Sequence, residues 1–311
     1  MNKPVGPLRA LVAEELAKPV PPAVTAMAEA IAARHLGSRA LLYYGSTLRE
    51  ARLEGLMLDF YLIVTDYRQA FGATWLAHAN RLLPPNVFPF QHNGLIAKYA
   101  VLSEADFARL ASSRTRNVSV WARFAQPARL VWSADGAAAQ AVIDAVTRAA
   151  PALLSAARAC LPDSLDPLDL WRQSFALTYA AELRAERHGR AGSVVDADPE
   201  RYRAFTMPAL AQAGLAAHIA NGRLIFDRPM SSAERIQGKR AWARRRREGK
   251  ALTLLRLAKA SATYAGGIDY LAWKISRHSG HPIAIKPWQR KWPILGAITL
   301  LPRLLAKGAV R

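Results

Sequence analysis

The chain has 311 residues, of which 51% are hydrophobic and 21% are charged, and its formal net charge at pH 7 is +20. This length and composition predict a globular protein with a sizeable core, in one large domain or two. The single cysteine, Cys160, excludes an intramolecular disulfide and a metal site built from several thiolates. The excess of basic residues predicts an anionic partner.

The N-terminal segment is expected to be neither a secretory signal nor a membrane span. It lacks a long apolar core followed by a small-residue cleavage site. No run of eighteen apolar residues without a charge occurs, so we expect a protein that is soluble or peripheral to a membrane. The apolar spacing of residues 24–36 predicts a helix that leads into a strand at residues 40–44.

The stretch from Leu41 to Asp66 predicts a strand, a small-residue loop and a second strand that carries an acid. The loop contains Gly45 and Ser46, and twelve residues separate Ser46 from Asp59 in the second strand. A nucleoside triphosphate needs unhindered backbone N–H groups near its phosphates and carboxylates that hold a divalent metal. The pattern therefore indicates a nucleotide site, although a purely structural Asp at a strand end explains the same residues.

This arrangement resembles that of polymerase-beta-type nucleotidyltransferases, in which a Gly-Ser or Gly-Gly pair precedes a strand with two acids at alternate positions. Here the position two residues after Asp59 is Tyr61, on the same strand face by the period of two. Half of the usual carboxylate pair is therefore missing.

Further blocks of sequence follow in a distinctive order between residues 43 and 184. They are Tyr44-Gly45-Ser46, Leu58-Asp59-Phe60, the cluster of Trp75, His78 and Asn80, the run from Lys98 to Ser103, and the segment from Leu177 to Arg184. In this order they resemble the mitochondrial-type CTP:phosphatidate cytidylyltransferases, the mitochondrial translocator assembly and maintenance protein family with its bacterial relatives. The sequence departs from that pattern at Thr47, Thr65 and Ala181-Glu182.

The resemblance implies an α+β fold in three parts. A nucleotidyltransferase (polymerase-beta-like) domain spans residues 1–136, and a helical, winged-helix-like domain that we expect to be all-helical spans 137–225. A basic amphipathic region for membrane surface binding spans 226–311. The implied reaction transfers CMP from CTP to phosphatidic acid with Mg²⁺ as cofactor, giving CDP-diacylglycerol and pyrophosphate.

The resemblance also implies roles for particular side chains. Asp59 is the metal ligand, with help from Asp66, and Lys98 is catalytic and binds the nucleotide. Because Asp66 has the opposite strand parity to Asp59, it joins the metal only if the chain turns just before it. The remaining nucleotide-binding candidates are Tyr44, Gly45, Ser46, Glu182 and Arg184, and an intrahelical ion network explains the last two equally well.

The elements around this stretch are predicted from local patterns. Residues 67–80 read as a helix with Trp75 packed in the core, and residues 84–94 read as irregular. Residues 95–103 read as a strand in which Lys98 stands alone, so its ammonium needs an anionic partner or an edge position open to water. Ser103 is a predicted helix N-cap. A phosphate contact and a surface position both suit Arg123, and the surface position is the favoured prediction.

The last quarter of the chain carries most of the charge. From residue 235 to residue 311 there are eighteen Lys and Arg against two acids, a net charge of +16 out of +20. Nucleic acid and an anionic membrane compete as partners for such a region. Tryptophans beside cations and a short apolar segment favour the membrane and make nucleic acid the less favoured partner. The predicted membrane-binding residues are Arg244, Arg245, Arg246, Arg247, Trp288, Arg290, Lys291 and Trp292.

The sequence thus predicts a peripheral cytidylyltransferase at the cytoplasmic face of a bacterial inner membrane. One alternative is a nucleotidyltransferase that uses another lipid or a small-molecule acceptor. The other is a catalytically inactive protein of the same fold that binds a membrane or nucleic acid.

Overall fold

The computed structural model describes residues 6–50, 52–182, 190–263 and 285–287, and these form a mixed α/β fold. Its strands are β1 (Ser38–Tyr44), β2 (Met57–Val64), β3 (Asn86–His92), β4 (Leu95–Ser103), β5 (Ala128–Ser133), β6 (Ser164–Leu165), β7 (Ala217–Ala220) and β8 (Arg223–Phe226). Its α-helices are α1 (Pro7–Ala17), α2 (Pro22–Ala32), α3 (Tyr67–Ala70), α4 (Thr74–Leu82), α5 (Glu104–Leu110), α6 (Trp121–Phe124), α7 (Gly136–Thr147), α8 (Ala149–Ala157), α9 (Pro167–Ala181), α10 (Arg190–Asp196), α11 (Pro199–Gln212) and α12 (Ser232–Thr263).

A five-stranded sheet in the order β3-β4-β2-β1-β5 organises the first half of the chain. β2 pairs in parallel with β4, and the other neighbouring strands pair antiparallel. The inner strands are continuous apolar runs because both faces of the sheet are covered. One core, which includes Leu42 and Tyr61, lies against α1 and α7, and the other, which includes Tyr43 and Phe60, lies against α2.

The sequence analysis did not predict the hairpin that β3 forms with β4, the strand that carries Lys98. Residues 84–94 were expected to be irregular, but residues 86–92 form β3, which pairs with β4 as far as His92 and Leu95. Asn93 and Gly94 both have positive φ, 46° and 77°, the conformation that a two-residue type I′ hairpin turn requires. The Asn-Gly pair was therefore the overlooked signal. The predicted helix at 67–80 is two helices, α3 and α4, and Ser103 is the N-cap of α5 as predicted.

The second half is not all-helical. β6, β8 and β7 form a three-stranded antiparallel sheet beside the helices, so that expectation was wrong. One apolar core also continues across the predicted boundary at residue 136, since Trp121, Val142, Trp171 and Trp242 belong to it. The division into three domains stays a prediction.

The long helix α12 packs back on the rest of the protein. Its Trp242 is 1% exposed, meets Trp121 edge to face at 6.5 Å, and donates a hydrogen bond from Nε1 to the Ala156 carbonyl at 2.8 Å. Within the described residues, none of the helices combines the length and the apolar character needed to cross a membrane.

Candidate functional site

Three of the predicted site residues meet where β1 ends. Tyr44, the last residue of β1, lies opposite Asp59 of β2, and Asp59 lies opposite Lys98 of β4. The Lys98 ammonium is 3.1 Å from Asp59 Oδ1. Gly45 follows Tyr44 with φ 100° and ψ −169°, and Ser46 begins a short 3₁₀ turn. Adjacent strands therefore bring loop, acid and lysine together.

Gly45 is required by both its backbone and its surroundings. Its φ and ψ fall in a region that essentially only glycine adopts. A Cβ at this position would lie 3.1 Å from Asp59 Oδ2. The loop backbone therefore runs directly against the carboxylate.

Gly45→Ala should destabilise the fold and displace Asp59. We expect it to lower the free energy of unfolding by more than the roughly 1–3 kcal/mol of an unfavourable φ alone, as measured by urea denaturation. Gly55→Ala is the matched control, because Gly55 has φ 75° and a Cβ at that position would meet no other atom within 4 Å. Equal losses in the two variants would show that Asp59 does not press on Gly45.

Polar atoms with unfilled hydrogen-bonding capacity surround this acid. Asp59 Oδ1, the Tyr43 hydroxyl and Thr47 Oγ1 are buried, and none has a hydrogen-bond partner among the described residues. Lys98 is at ion-pair distance from Oδ1 but not in hydrogen-bond geometry. The Tyr43 hydroxyl lies near Thr47, also without hydrogen-bond geometry. Burial raises the pKa of Tyr43. Such groups usually have a partner, so their grouping indicates a place for a ligand or ion.

Arg123 was predicted to be a surface residue, but the structure places it in this site. Its Nη1 donates to the Tyr61 hydroxyl at 3.1 Å and to the Ser119 carbonyl at 3.0 Å. Its guanidinium carbon lies 5.3 Å from the centre of the Tyr44 ring. The signal that sequence reasoning missed is the one that singled out Lys98, a lone cation within an apolar segment.

The groups around Arg123 stabilise its charged form. Burial alone would lower the pKa of Arg123, but Tyr61, Tyr44, Glu182 and Asp59 together raise it well above its ordinary value. Tyr61, two residues after Asp59 on the same strand, is 2% exposed and accepts its hydrogen bond from this arginine.

The long helix contributes a second arginine that the sequence did not point to. Arg256 of α12 donates from Nη1 to Ser119 Oγ at 3.1 Å and from Nε to the Pro84 carbonyl at 2.8 Å. Burial lowers the pKa of Arg256, Tyr61 and Glu182 raise it, and Arg123 lowers it again. Glu182, the C-cap residue of α9, is thus within electrostatic reach of both arginines. Its contact with a nucleotide stays a prediction, and Arg184 lies outside the described residues.

Asp66 does not join Asp59, which corrects the predicted metal pair. It is the N-cap of α3 and accepts hydrogen bonds from the N–H groups of Arg68 and Gln69. It lies seven positions after Asp59, beyond the end of β2 at Val64, which corresponds to roughly 20 Å along the chain. The strand does not turn back before residue 66, which is why the two carboxylates stay apart. In the described ranges, no group of three or more His, Cys, Asp or Glu side chains is placed to hold a metal ion.

The cluster of Trp75, His78 and Asn80 is not built as predicted. Trp75 is 52% exposed, so its expected place in the core was wrong, and His78 is exposed as well. Asn80 is fully buried, where its Nδ2 donates to the Val101 carbonyl at 2.9 Å and its Oδ1 accepts from the Asn86 N–H. Asn80 therefore fixes the chain between α4 and β3.

The predicted membrane-binding arginines of α12 do not share one face, because successive helical residues are turned by about 100°. Arg244 and Arg247 are exposed, while Arg245 and Arg246 are partly buried. The Arg245 guanidinium lies over the Trp242 ring, 5.2 Å from its centre, so Arg245 does not face outward with Arg244. Trp288, Arg290, Lys291 and Trp292 lie outside the described residues.

A partly buried lysine holds the end of α12 to the loop between α4 and β3. Lys259 Nζ donates to the carbonyl oxygens of Leu83 and Pro85, the latter at 2.8 Å. Burial, with a smaller effect from Arg256, lowers the pKa of Lys259 from 10.5 to about 7. Between these two pH values the unfolded chain therefore binds more protons than the folded one, and stability rises with pH.

Lys259→Met should remove this pH dependence. We expect the free energy of unfolding of the wild type minus that of the variant to increase by roughly 1–3 kcal/mol as the pH rises from 7 to 10. Urea denaturation of both proteins at several pH values measures the difference. Lys250→Met on the exposed face of the same helix is the control, and a wild-type gain no larger than the control's would contradict the assignment.

These features define a mixed α/β protein with the Asp59 carboxylate and a group of cations at the end of its central strands. No family model matches the sequence, and no curated protein matches it significantly. Among solved structures, the chain is similar to a nucleotidyltransferase-like protein from Exiguobacterium sibiricum 255-15. The match has 11% sequence identity, covers 92% of this chain and 91% of that chain, and has a TM-score of 0.26. That score lies below the level at which two chains share a fold.

Proposed function

We propose that the protein is a nucleotidyltransferase that transfers CMP from CTP to phosphatidic acid at an anionic membrane surface. The observation that carries the proposal is the meeting of the Gly45 loop, Asp59 and Lys98 on adjacent strands, with Lys98 3.1 Å from Asp59. These are the residue types that a triphosphate requires, and they lie in the order in which this sequence resembles the cytidylyltransferase family.

The proposed Mg²⁺ fits Asp59 as its one protein ligand. The buried Oδ1 forms an ion pair with Lys98 and no hydrogen bond, so it would accept a hard cation once Lys98 moves to the triphosphate. Mg²⁺ at nucleotide sites often takes one or two carboxylates and completes its coordination with phosphate oxygens and water. When bound, it supplies neutralisation of the charge that develops on the phosphates.

The cations of the site would divide the phosphates among them. Backbone N–H groups at Gly45 and Ser46 would hold the beta and gamma phosphates, since the glycine leaves the approach open. Lys98, whose side chain is 34% exposed, would leave Asp59 for the triphosphate and stabilise the departing pyrophosphate. Arg123 and Arg256 would guide the phosphate of the lipid.

The acceptor needs no general base. A phosphate monoester is already ionised at neutral pH, so its oxygen attacks the alpha-phosphorus directly as the bond to pyrophosphate breaks. The protein's task is then to orient two highly charged groups and offset their repulsion, which the excess of cations over acids near Asp59 suits.

One observation favours a second candidate function, an inactive binding protein of the same fold. Tyr61 replaces the second acid and is committed to packing and to Arg123, with its ring 5.2 Å from that of Phe124. A site with a single carboxylate holds a metal less firmly than one with two. The same observation is compatible with a nucleotidyltransferase that uses another acceptor.

The test is a transfer assay with the purified full chain. The protein is incubated with Mg²⁺, radiolabelled CTP and vesicles containing phosphatidic acid, and cytidylate is counted in the lipid extract. Label in the lipid supports the proposal. In a parallel reaction that contains glycerol 3-phosphate in place of the vesicles, label on this soluble acceptor together with none in the lipid would assign another acceptor. No transfer from any of the four nucleoside triphosphates, with vesicle binding retained, would assign the inactive binding protein.

A further inference from the structure

A groove on α12 lies well away from the Asp59 site. It has a volume of about 330 Å³ and is lined by Arg116, Gln237, Arg240, Ala241, Arg244 and Arg245. At 1.5 Å per residue, Arg240 is about 24 Å along the helix axis from Arg256 in the candidate site. The groove is therefore a separate feature with its own chemistry.

The groove concentrates positive charge that the described residues only partly neutralise. Glu248 pairs with two of the four arginines, through Arg116 Nε at 3.1 Å and Arg244 Nε at 2.8 Å. Arg240 has no acidic partner in the described part of the chain. Arg245 Nε is buried without a hydrogen bond, and burial, then the charge of Arg116, lowers the pKa of Arg245. Packing like charges together is unfavourable unless an anion joins them.

Glu248 also fixes the shape of the groove. Its two carboxylate oxygens receive one guanidinium each, so Arg116 and Arg244 are held on opposite sides of one acid. Trp242, itself fixed by its hydrogen bond to the Ala156 carbonyl, supports Arg245 from below. Guanidinium groups held in place recognise phosphate through paired N–H donors, and their preorganisation reduces the entropy lost on binding.

The outward face of α12 indicates that a phosphate bound in the groove would belong to a membrane lipid. Ile236 and Leu255 are 52% and 56% exposed, and they share with Arg240 and Arg244 an arc of about 100° along the helix. The opposite face carries Trp242 and two close packing positions, Gly238 against Ala159 and Gly249 against Ala181. Exposed apolar side chains at both ends of a basic stripe suit a lipid surface, which offers both apolar depth and phosphate.

Nucleic acid fits this face less well. Proteins that bind single strands stack bases on exposed aromatic rings. The one aromatic residue of α12, Trp242, is turned into the core. An RNA strand would also leave Ile236 and Leu255 in water.

We infer that the arginine groove on α12 binds the headgroup phosphate of an anionic membrane lipid, and so holds the helix in one orientation on the surface. The inference rests on the membrane part of the proposed function and not on catalysis. Binding without transfer, or transfer without dependence on this groove, therefore separates the two proposals.

The test compares two Arg→Gln variants on the same helix. Arg240→Gln removes an unpaired groove arginine, and Arg247→Gln removes an exposed arginine that does not line the groove. Binding of the full chain to phosphatidylcholine vesicles with and without phosphatidic acid is measured by sedimentation. We expect Arg240→Gln to weaken binding roughly tenfold or more and Arg247→Gln only a few-fold. Arg240→Lys, which keeps the charge and loses the fork of donors, should fall between the wild type and Arg240→Gln.

Circular dichroism and thermal melting establish that each variant is folded. Equal losses in the two Gln variants would overturn the inference, because net charge alone would then explain binding. Inorganic phosphate that binds the wild type as tightly as the vesicles do, with the same dependence on Arg240, would replace the lipid by free phosphate. Tighter, Arg240-dependent binding of a single-stranded oligonucleotide would replace it by nucleic acid.

Discussion

Asp59→Asn should lower cytidylate transfer by at least roughly 10²-fold in the vesicle assay. The substitution keeps the shape of the side chain and removes the negative charge that the proposed metal requires. It also leaves the Lys98 ammonium without its ion pair. That pair is partly exposed, with the two side chains 34% and 23% accessible, so we expect little change in stability.

Asp66→Asn is the matched control. It removes a carboxylate near the far end of the same strand, where Asp66 caps α3. Because Asn caps a helix about as well as Asp, its cost should be only the roughly 0.3–1 kcal/mol that the lost charge contributes at the helix N-terminus, with transfer unchanged. Full activity in Asp59→Asn would remove Asp59 from the mechanism. A deficit in Asp66→Asn as large as that in Asp59→Asn would restore the metal pair that the structure separates.

The part of the site that sequence reasoning found is the part built by neighbouring strands. Gly45, Asp59 and Lys98 occur in three segments that each read as a strand or its end, and strand pairing places them side by side. A lysine that stands alone in an apolar strand also indicates an anionic partner, because an unpaired buried charge is costly. From the residues alone, a triphosphate and Asp59 were both candidate partners of Lys98, and the family resemblance favoured the phosphate; strand pairing is what places Lys98 beside Asp59.

The part it missed depends on contacts between distant segments. Arg256 reaches Ser119 across 137 residues of chain, and it does so only because α12 folds back over the loop after α4. No local pattern shows where a long basic helix will lie. The same helix read from sequence as an outward membrane element, whereas Trp242 and Arg245 face the protein. Tertiary packing decided each of these cases, and the local pattern of one segment does not show which distant segment it will contact.

The error at Asp66 has a different origin. Strand parity allowed it a place at the metal only if the chain turned early, and β2 instead continues to Val64. The two hydrogen bonds that Asp66 accepts from the first turn of α3 are those of an ordinary N-cap. An acid that follows an apolar strand and precedes a helix is thus fully explained by capping.

A buried ion pair between α1 and α11 provides the largest stability effect that we expect. Glu15 and Arg201 are each 6% exposed at their side chains, and Arg201 Nη2 donates to Glu15 Oε1 at 2.9 Å, with a second contact through Nε. Arg201 also donates to the Ala125 carbonyl at 3.2 Å and lies over the Phe205 ring. The pair therefore links three segments of the chain that surround the core on the α1 side of the sheet.

Arg201→Met should lower the free energy of unfolding by about 3–5 kcal/mol, because it leaves the Glu15 carboxylate buried without its partner. Urea denaturation measures the loss. Arg9→Met is the control on the same helix α1, since it breaks an ion pair with Asp144 whose members are 27% and 51% exposed, and it should lose no more than about 1 kcal/mol.

The double variant Glu15→Leu with Arg201→Met separates the two contributions to this loss. Removing one partner of a buried pair exposes the desolvation penalty of the other, whereas replacing both with apolar groups of similar size removes that penalty as well. We therefore expect the double variant to be more stable than Arg201→Met alone. If its loss relative to the wild type instead equals about the sum of the losses of Arg201→Met and of Glu15→Leu measured singly, the attraction between Glu15 and Arg201 would not be what holds α1 against α11. The packing of the Arg201 side chain on Phe205 would then account for the stability of that contact.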